Sequence, residues 1–484
     1  MKTPSTSSES ACSTSRCTRK RKGSELRYIL TNRYSLCGYK GVPYALYDED
    51  YGRLQAISLA DFIVLEGCDG RTELRNSKTL QKLKRQGIIR QPLLGEVLEE
   101  RRRYHDYGVP LFSGVSFSPT ARCNYNCRHC FMAKDVNPQA AQLTYEECID
   151  LFDQMVDCGI REIRFTGGEP TIHPQFRDIL WAAKERGLRV REVLTNGSRL
   201  TDELLGEMRA HEMNPLIMIS FDGVGRHDWL RNVKGAEEVA LSAMERAARK
   251  GFPVTAHVCV HRGNIDVLRE TARKLDEIGV EVMRVIRVSE APRWMTTSTD
   301  SNLEPKEYFD AVLDFLDWYV DSGLKPMLEL WSMLRWYPQE NVVEWLPARC
   351  ADEARRERRA ICPGARNVLQ IAADRDIFPC NIISGAMRSR GYVPRSLKNE
   401  SIRHLISDDE WMRETFPTLA DFYEANPECK ECEHRLDCQG GCRAIGFAVT
   451  GNLCGIDLMR CAFMKEGHFA RARAIINRKL EQGQ

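Results

Sequence analysis

From about residue 113 to 290 the chain alternates strand-like and helix-like stretches with little between them. GVSFSPT, REIRF, RVREVLTNG, PLIMISFDG, PVTAHVCVHRGN and VEVMRVIRV are short, apolar and rich in β-branched residues, and read as strands. Between them LTYEECIDLFDQMVDCG, PQFRDILWAAKERG, TDELLGEMRAHE, GAEEVALSAMERAARKG and IDVLRETARKLDEIG repeat their apolar residues at helical spacing. Thr144 and Glu147 form a capping box at the start of the first helix, and Gly159 and Gly187 mark helix ends. Strands that alternate with helices imply a parallel sheet with right-handed crossovers. Six such units fall short of a closed eightfold barrel, so the expected fold class is α/β, a partial (β/α)6 parallel barrel. In parallel α/β folds the chemistry gathers at the C-terminal ends of the strands. CNYNCRHC, GGEP, TNG, SFDG and HRGN each follow one of these strands.

At 484 residues the chain is too long for one core. Composition divides it into a disordered tail (1–24), a small α+β module (25–105), the barrel (110–295), a helical linker (296–349), a Cys-rich domain (350–465) and a C-terminal helix (466–484). A net charge of +2 gives no reason to expect a nucleic-acid partner. No apolar run approaches the length of a membrane span, so no membrane partner is expected either. The tail is Ser/Thr-rich, then basic, with no apolar signal segment, and the expected location is cytoplasmic. The outlier is cysteine, with 19 residues. In a long, unsecreted chain these read as reduced thiols and metal ligands. Cys148, Cys158 and Cys259 sit on apolar periodic stretches and read as core residues.

Cys123, Cys127 and Cys130 are spaced C-x3-C-x2-C, one ligand short of a closed tetrahedral site. They suit three corners of a [4Fe–4S] cube whose fourth iron is open, and an open coordination position marks catalysis rather than structure. A chance cluster in a loop is the competing reading. This spacing after a first strand, with the aromatic Phe131 behind it, resembles the radical S-adenosylmethionine (radical SAM) enzymes. The resemblance implies that the methionine end of S-adenosylmethionine occupies the open iron, and that a 5′-deoxyadenosyl radical then takes a hydrogen atom from an unactivated C–H bond. Gly167, Gly168 and Glu169 match the family's methionine-ammonium motif. The glycines permit close backbone approach, and the carboxylate is a charge-assisted acceptor. By the same resemblance Asn196, Ser220 and Asp222 line the cofactor or substrate pocket, and Arg231 meets the methionine carboxylate. Turn chemistry alone would also explain Asn196 and Asp222, and Arg231 could be a surface residue. Asn264 reads as a helix cap, and His257 and Arg262 as further pocket positions. No general base can be named.

The last third carries Cys350, Cys362 and Cys380, then Cys429, Cys432, Cys438 and Cys442, then Cys461. The gaps fit a zinc ribbon poorly. The array resembles the SPASM extension of radical SAM enzymes that modify peptides and proteins, which implies two auxiliary [4Fe–4S] clusters. Carried over by position, Cys362, Cys380 and Cys442 hold the first, with Cys350 as the candidate fourth ligand, and Cys429, Cys432, Cys438 and Cys461 hold the second. The family's Asp-Gly turn before the second cysteine is Asp374–Arg375 here. The N-terminal module looks like the domains that take a leader peptide as an added strand, although it could equally be a structural collar. The whole implies a maturase that oxidises a residue of a ribosomally made precursor peptide and forms a side-chain crosslink, with electrons from an external flavodoxin- or ferredoxin-type donor. A sulfatase-maturing, formylglycine-forming enzyme and a non-catalytic iron–sulfur or zinc protein are the alternatives.

Overall fold

The structure, a computed structural model, describes residues 26–132, 140–289, 291–362 and 368–482. The expected tail at 1–24 lies outside the described residues. The chain divides into two compact units, up to Gly108 and from Val109.

The first unit holds β1 (Leu26–Leu30), β2 (Tyr34–Lys40), β3 (Val42–Asp48), β4 (Arg53–Ala56), α1 (Leu59–Glu66), β5 (Asp69–Leu74), α2 (Lys78–Arg85) and β6 (Ile89–Arg90), and β7 (His105–Pro110) leads out of it. Its strands form two small sheets, β5-β1-β6 and β4-β3-β2-β7. Apolar residues of β1, β2 and both helices (Tyr28, Leu30, Leu36, Leu65, Leu80) make its core. Ser58 and Ser77 cap the two helices through their hydroxyls.

The second unit is built on one sheet. The six expected strands are β8 (Gly114–Phe117), β9 (Glu162–Phe165), β10 (Arg189–Thr195), β11 (Leu216–Ser220), β12 (Val254–Val260) and β13 (Val282–Arg287). All pair in parallel in chain order. Between them run α3 (Tyr145–Asp157), α4 (Phe176–Glu185), α5 (Asp202–Ala210), the short α6 (His227–Arg231), α7 (Ala236–Arg249) and α8 (Leu268–Ile278). The Thr144–Glu147 capping box is formed. Beyond β13 come α9 (Pro292–Thr297) and α10 (Pro305–Asp321), and then the sheet resumes where a helical linker was expected. β14 (Met327–Leu330) adds a parallel strand, and β15 (Leu334–Tyr337) and β16 (Val342–Trp345) fold back antiparallel. Four-residue strands are too short to show a period, which is why MLEL, LRWY and VVEW escape a sequence reading. At the other edge β17 (Val368–Ile371) pairs in parallel with β8, and β18 (Ile377–Phe378) follows it. A strand from the Cys-rich region thus completes the barrel sheet, and residue 350 is not a structural boundary. The sheet remains open, with β16 and β18 at its two ends.

Residues on one face of the strands, such as Val115, Phe117, Ile163, Phe165, Ile217, Ala256, Val258 and Val285, are almost fully buried and apolar. They meet the helices, with α4 against β10 and α7 against β11. The other face is polar. Register lines up Gln370, Ser116, Arg164 and Glu192 across four strands, and Ser220, His257, Arg284, Glu329 and Arg335 across five.

The helix His468–Gln482 runs along α10. Asp310, Asp314, Asp317 and Asp321 follow helical spacing and so share one face of α10. Arg471, Arg478 and Lys479 meet them; Arg478 reaches Asp321 at 2.8 Å and Asp317 at 2.9 Å. Leu313 and Leu316 of α10 are fully buried. Among the described residues no helix is long and apolar enough to cross a membrane. Exposed ion pairs contribute little, while a buried leucine contributes transfer energy plus a cavity term. Leu316→Ala should therefore cost roughly 2–5 kcal/mol of stability, and Arg478→Ala no more than about 1 kcal/mol. Denaturant titration of the two variants checks that order.

Candidate functional site

The loop after β8 carries Cys123, Cys127 and Cys130, all half-buried and free. The three thiols act on one another electrostatically. Burial pushes Cys123 up to about 12 and Cys130 up to about 11, and the neighbouring cysteines add to both. The backbone N–H of Tyr125 donates to Cys123 Sγ at 3.4 Å. The loop after β9 holds this arrangement in place. The N–H groups of Gly168 and Glu169 donate to the carbonyls of Thr120 and Arg122, at 3.0 and 2.9 Å. A Cβ at Gly168 would meet Arg122 O at 2.1 Å and Ala121 O at 2.5 Å, and one at Gly167, where φ is +130°, would meet Thr120 O at 2.4 Å. The close approach that these glycines permit is to the cysteine loop itself.

Glu169 is buried. Burial raises its carboxyl above the ordinary range, against hydrogen bonds that favour the charged form. Oε1 accepts from Thr171 N (3.1 Å), Thr171 Oγ1 (2.5 Å) and Thr195 Oγ1 (2.7 Å), and Oε2 accepts from Asn196 N (2.7 Å). Asn196 Nδ2 then donates to Asn124 Oδ1 at 2.8 Å, tying the exit of β10 to the cysteine loop.

Asp222, just after β11, is fully buried. Its oxygens are taken up by neighbouring groups. Arg231 grips it in bidentate fashion, Nε to Oδ2 at 2.7 Å and Nη2 to Oδ1 at 3.0 Å. His227 Nδ1 lies 2.9 Å from Oδ2, and Cys259 N donates to Oδ1 at 3.1 Å. Burial alone would push this carboxyl up, but Arg231 and His227 outweigh it and hold it far below the usual range. Arg231 is therefore a buried partner of Asp222, 8 % exposed, rather than a surface residue, and its Nη1 donates to Cys127 Sγ at 3.8 Å. His129 Nδ1, Asp222 and Cys259 converge within 4.8 Å. A separate cation there would face the Arg231 guanidinium, so the group is the wall behind the cysteine loop. Burial, then Arg231, lowers His129 to about 3 and keeps it neutral.

Three further expectations change. Asn264 does not cap its helix: Nδ2 donates to the carbonyls of Asp222 (2.6 Å) and Cys259 (2.9 Å), and Oδ1 accepts from His261 N (2.8 Å). Arg262 is held by Glu307 at 2.8 Å, at the start of α10. Cys259, expected in the apolar core, stands on the polar strand face with Thr255 and His257, because side chains alternate along β12. His257 is on that face too. Burial, then Arg284, pushes its imidazole down, so its Nε2, 2.9 Å from Arg284 Nη1, is free of a proton and accepts. Arg284 and Arg335 both donate to Glu329 at 3.1 Å. Ser220, half-buried, ends β11 opposite His257.

In the C-terminal region Cys362 and Cys380 both act on Cys442, which burial pushes well up. Cys432, Cys438 and Cys461 act in the same way on Cys429, which burial raises to about 11. Cys350 is directed elsewhere, its Sγ donating to Asp352 O at 3.5 Å. Cys380 opens the helix Asn381–Ser389, and Gly385 of that helix lies against the Phe131 carbonyl, where a Cβ would come within 2.0 Å. Phe131 thus joins the first cysteine loop to this helix. Arg375 takes φ +68°, the conformation a glycine would adopt freely, so the turn expected at Asp374–Arg375 is made without one.

Residues 117–275 match the Radical SAM superfamily. Those residues form a Radical SAM domain. An AdoMet-dependent heme synthase of Methanosarcina barkeri is 26% identical to it over 346 residues, 70% of this chain and 93% of that one. Mycofactocin maturase MftC of Mycobacterium tuberculosis is 25% identical over 377 residues, 74% of this chain and 87% of that one. Streptococcus suis SuiB bound to its precursor peptide SuiA has the same fold, with a TM-score of 0.61 at 12% identity over 89% of this chain and 98% of that one.

The residues of this radical SAM chain fit the cluster that its superfamily implies. Three half-buried thiols share one loop, and one of them, Cys127, has an arginine N–H already directed at it. Thiols pushed up by burial and by one another ionise when a metal takes them. Sequence reasoning missed His129, His227, Asn124 and Cys259. Asn124 and His129 lie within the cysteine loop, and only the chain's return at α6 and β12 brings His227 and Cys259 beside it. Gly168→Ala should lose the iron of this site, about four atoms per chain, while circular dichroism stays that of the parent; iron assay of the reconstituted variant checks it.

Proposed function

We propose that this radical SAM enzyme is a peptide maturase with two auxiliary [4Fe–4S] clusters. It oxidises one residue of a ribosomally made precursor peptide and forms a side-chain crosslink. The observation that carries the reading is the pair of extra cysteine sets, one joined to the radical SAM loop through the Cys380 helix and Phe131. The second support is the fold shared with a precursor-peptide-bound enzyme over 89% of the chain.

In this reading Cys123, Cys127 and Cys130 hold the catalytic cluster. Glu169, with one oxygen accepting a single hydrogen bond, receives the methionine ammonium of S-adenosylmethionine. Asn196 and Ser220 border the pocket. When bound, cluster and cofactor together supply a 5′-deoxyadenosyl radical that removes a hydrogen atom from the peptide. The polar strand face, with His257 and Arg284, positions the peptide. The first auxiliary cluster sits on Cys362, Cys380 and Cys442. Cys350 has its own carbonyl partner, so this cluster keeps an open position. The second sits on Cys429, Cys432, Cys438 and Cys461. A one-electron acceptor near the substrate suits net oxidation, since a substrate radical must lose one electron to become a closed-shell product. The N-terminal unit takes the leader peptide as a strand added to one of its small sheets. Electrons come from a flavodoxin- or ferredoxin-type donor in the cytoplasm, where the seventeen free cysteines described here stay reduced.

Replacing Cys123, Cys127 and Cys130 together by Ala should abolish reductive cleavage of S-adenosylmethionine; cleavage at the parent rate would end the reading. Replacing Cys429 and Cys432 should spare cleavage and block product. Anaerobic co-expression with each short peptide encoded nearby, followed by mass spectrometry, tests the substrate. Loss of one pair of hydrogens supports the crosslink. An unmodified peptide beside a cleaved cofactor would instead point to a larger protein or, in line with the name of the first relative, to a heme precursor.

A further inference from the structure

Beside Arg356, which pairs with Glu353 at 3.8 Å, two arginines in the C-terminal region are buried, Arg443 at 3 % and Arg460 at 5 % exposed. Neither forms an ion pair with a carboxylate among the described residues. Each spans one cysteine set. Arg443 follows Cys442, and its Nη2 donates to the carbonyl of Pro379, the residue before Cys380, at 2.6 Å. Arg460 precedes Cys461, and its Nη2 donates to the carbonyl of Asp437, the residue before Cys438, at 2.5 Å. The second Arg460 nitrogen, Nη1, donates to Ser332 O at 2.7 Å. Arg443 stacks over Phe416 and Arg460 over Phe463, at 5.4 and 5.5 Å. Each also keeps one buried nitrogen without any hydrogen-bond partner: Nη1 of Arg443 and Nε of Arg460. Asp457 acts on Arg460 electrostatically from beyond ion-pair distance, while its oxygens accept from the backbone N–H groups of Cys442 and Arg460, at 2.9 Å each.

A buried cation with no counter-charge is strongly unfavourable, and so is a buried N–H with no acceptor. An iron–sulfur cluster held by thiolates supplies both, because it is anionic and its sulfurs accept hydrogen bonds. Another buried arginine of the unit makes the contrast. Arg231 also reaches a ligand cysteine, Cys127, but Asp222 neutralises it.

We propose that Arg443 and Arg460 are positioning residues that compensate the charge of the two auxiliary clusters and raise their reduction potentials above that of the radical SAM cluster, whose arginine is cancelled by Asp222. This rests on the auxiliary-cluster reading above. Reduction adds an electron to an already negative group, so a nearby uncancelled cation favours the reduced form. An electron leaving the substrate is thereby drawn to the auxiliary clusters rather than back to the catalytic one.

The test is an EPR-monitored redox titration of the full-length, reconstituted protein against Arg443→Gln and Arg443→Lys, with iron counted in each; Arg460→Gln and Arg460→Lys repeat it for the second set. Gln keeps an amide donor without the charge, and Lys keeps the charge. Arg443→Gln should lower one auxiliary midpoint by a tenfold or larger change in its reduced-to-oxidised ratio, about 59 mV for a one-electron couple. The radical SAM signal should not move, and Lys should stay near the parent. A Gln variant with full iron at the parent midpoint overturns the proposal, as does an equal shift in Gln and Lys. If Gln loses iron, retention by Lys supports the charge role, and loss in both reduces Arg443 to a structural staple and overturns it. A parent protein that binds only about four irons, instead of about twelve, overturns the cluster reading itself.

Discussion

The arrangement of the catalytic end depends on one buried ion pair. Asp222 ends β11 and Arg231 ends α6, and neither has water to fall back on. Their bidentate contact pulls the short helix across the mouth of the sheet. From there Arg231 reaches Cys127, Asp222 collects the N–H of Cys259 from β12, and Asn264 fixes the Asp222 carbonyl from the next loop. Losing either charge would leave the other buried and unpaired, at a cost of roughly 3–5 kcal/mol. The pair is thus a registration device. It sets three strand ends against the cysteine loop while adding no net charge beside it.

The cysteine loop is held from its other side by backbone alone. Gly167 and Gly168 let the β9 exit run within hydrogen-bonding distance of residues 120–122, and Glu169 then gathers donors from β10. The motif's glycines therefore serve the loop that bears the ligands, and its glutamate serves the neighbouring strand. A charged residue with four donors already aimed at it is pre-organised and has little freedom to rearrange when a ligand arrives.

The sheet separates two environments. Its helix-facing side is apolar, as the strand alternation requires. Its other side carries arginines, glutamates and His257 in register, so that Arg284, Glu329 and Arg335 satisfy one another across three strands. Such a surface accommodates a polar chain, and the C-terminal region closes over one edge by donating β17 to the sheet. The Cys-rich segment is consequently part of the barrel's own hydrogen bonding, and the helix that begins at Cys380 reaches Phe131 directly.

Much was legible in the residues alone. The alternation of periods 2 and 3.6 identified six parallel strands and their helices, and the spacing of Cys123, Cys127 and Cys130 with GGEP carried the resemblance that implies the chemistry. Both are local patterns, carried by neighbours along the chain. The strands β14 to β18 were not legible, because two to four residues hold no period, and β17 pairs with β8, far away in sequence. Nor were the true roles of Asp222, Arg231, Asn264 and Cys259. A carboxylate and a guanidinium nine residues apart look like turn and surface chemistry until the fold removes their water. The same holds for Arg443 and Arg460. Sequence set their places beside cysteines, but only tertiary burial made them desolvated cations with no carboxylate in ion-pair contact among the described residues, since desolvation is a property of the packed chain and not of any residue in it.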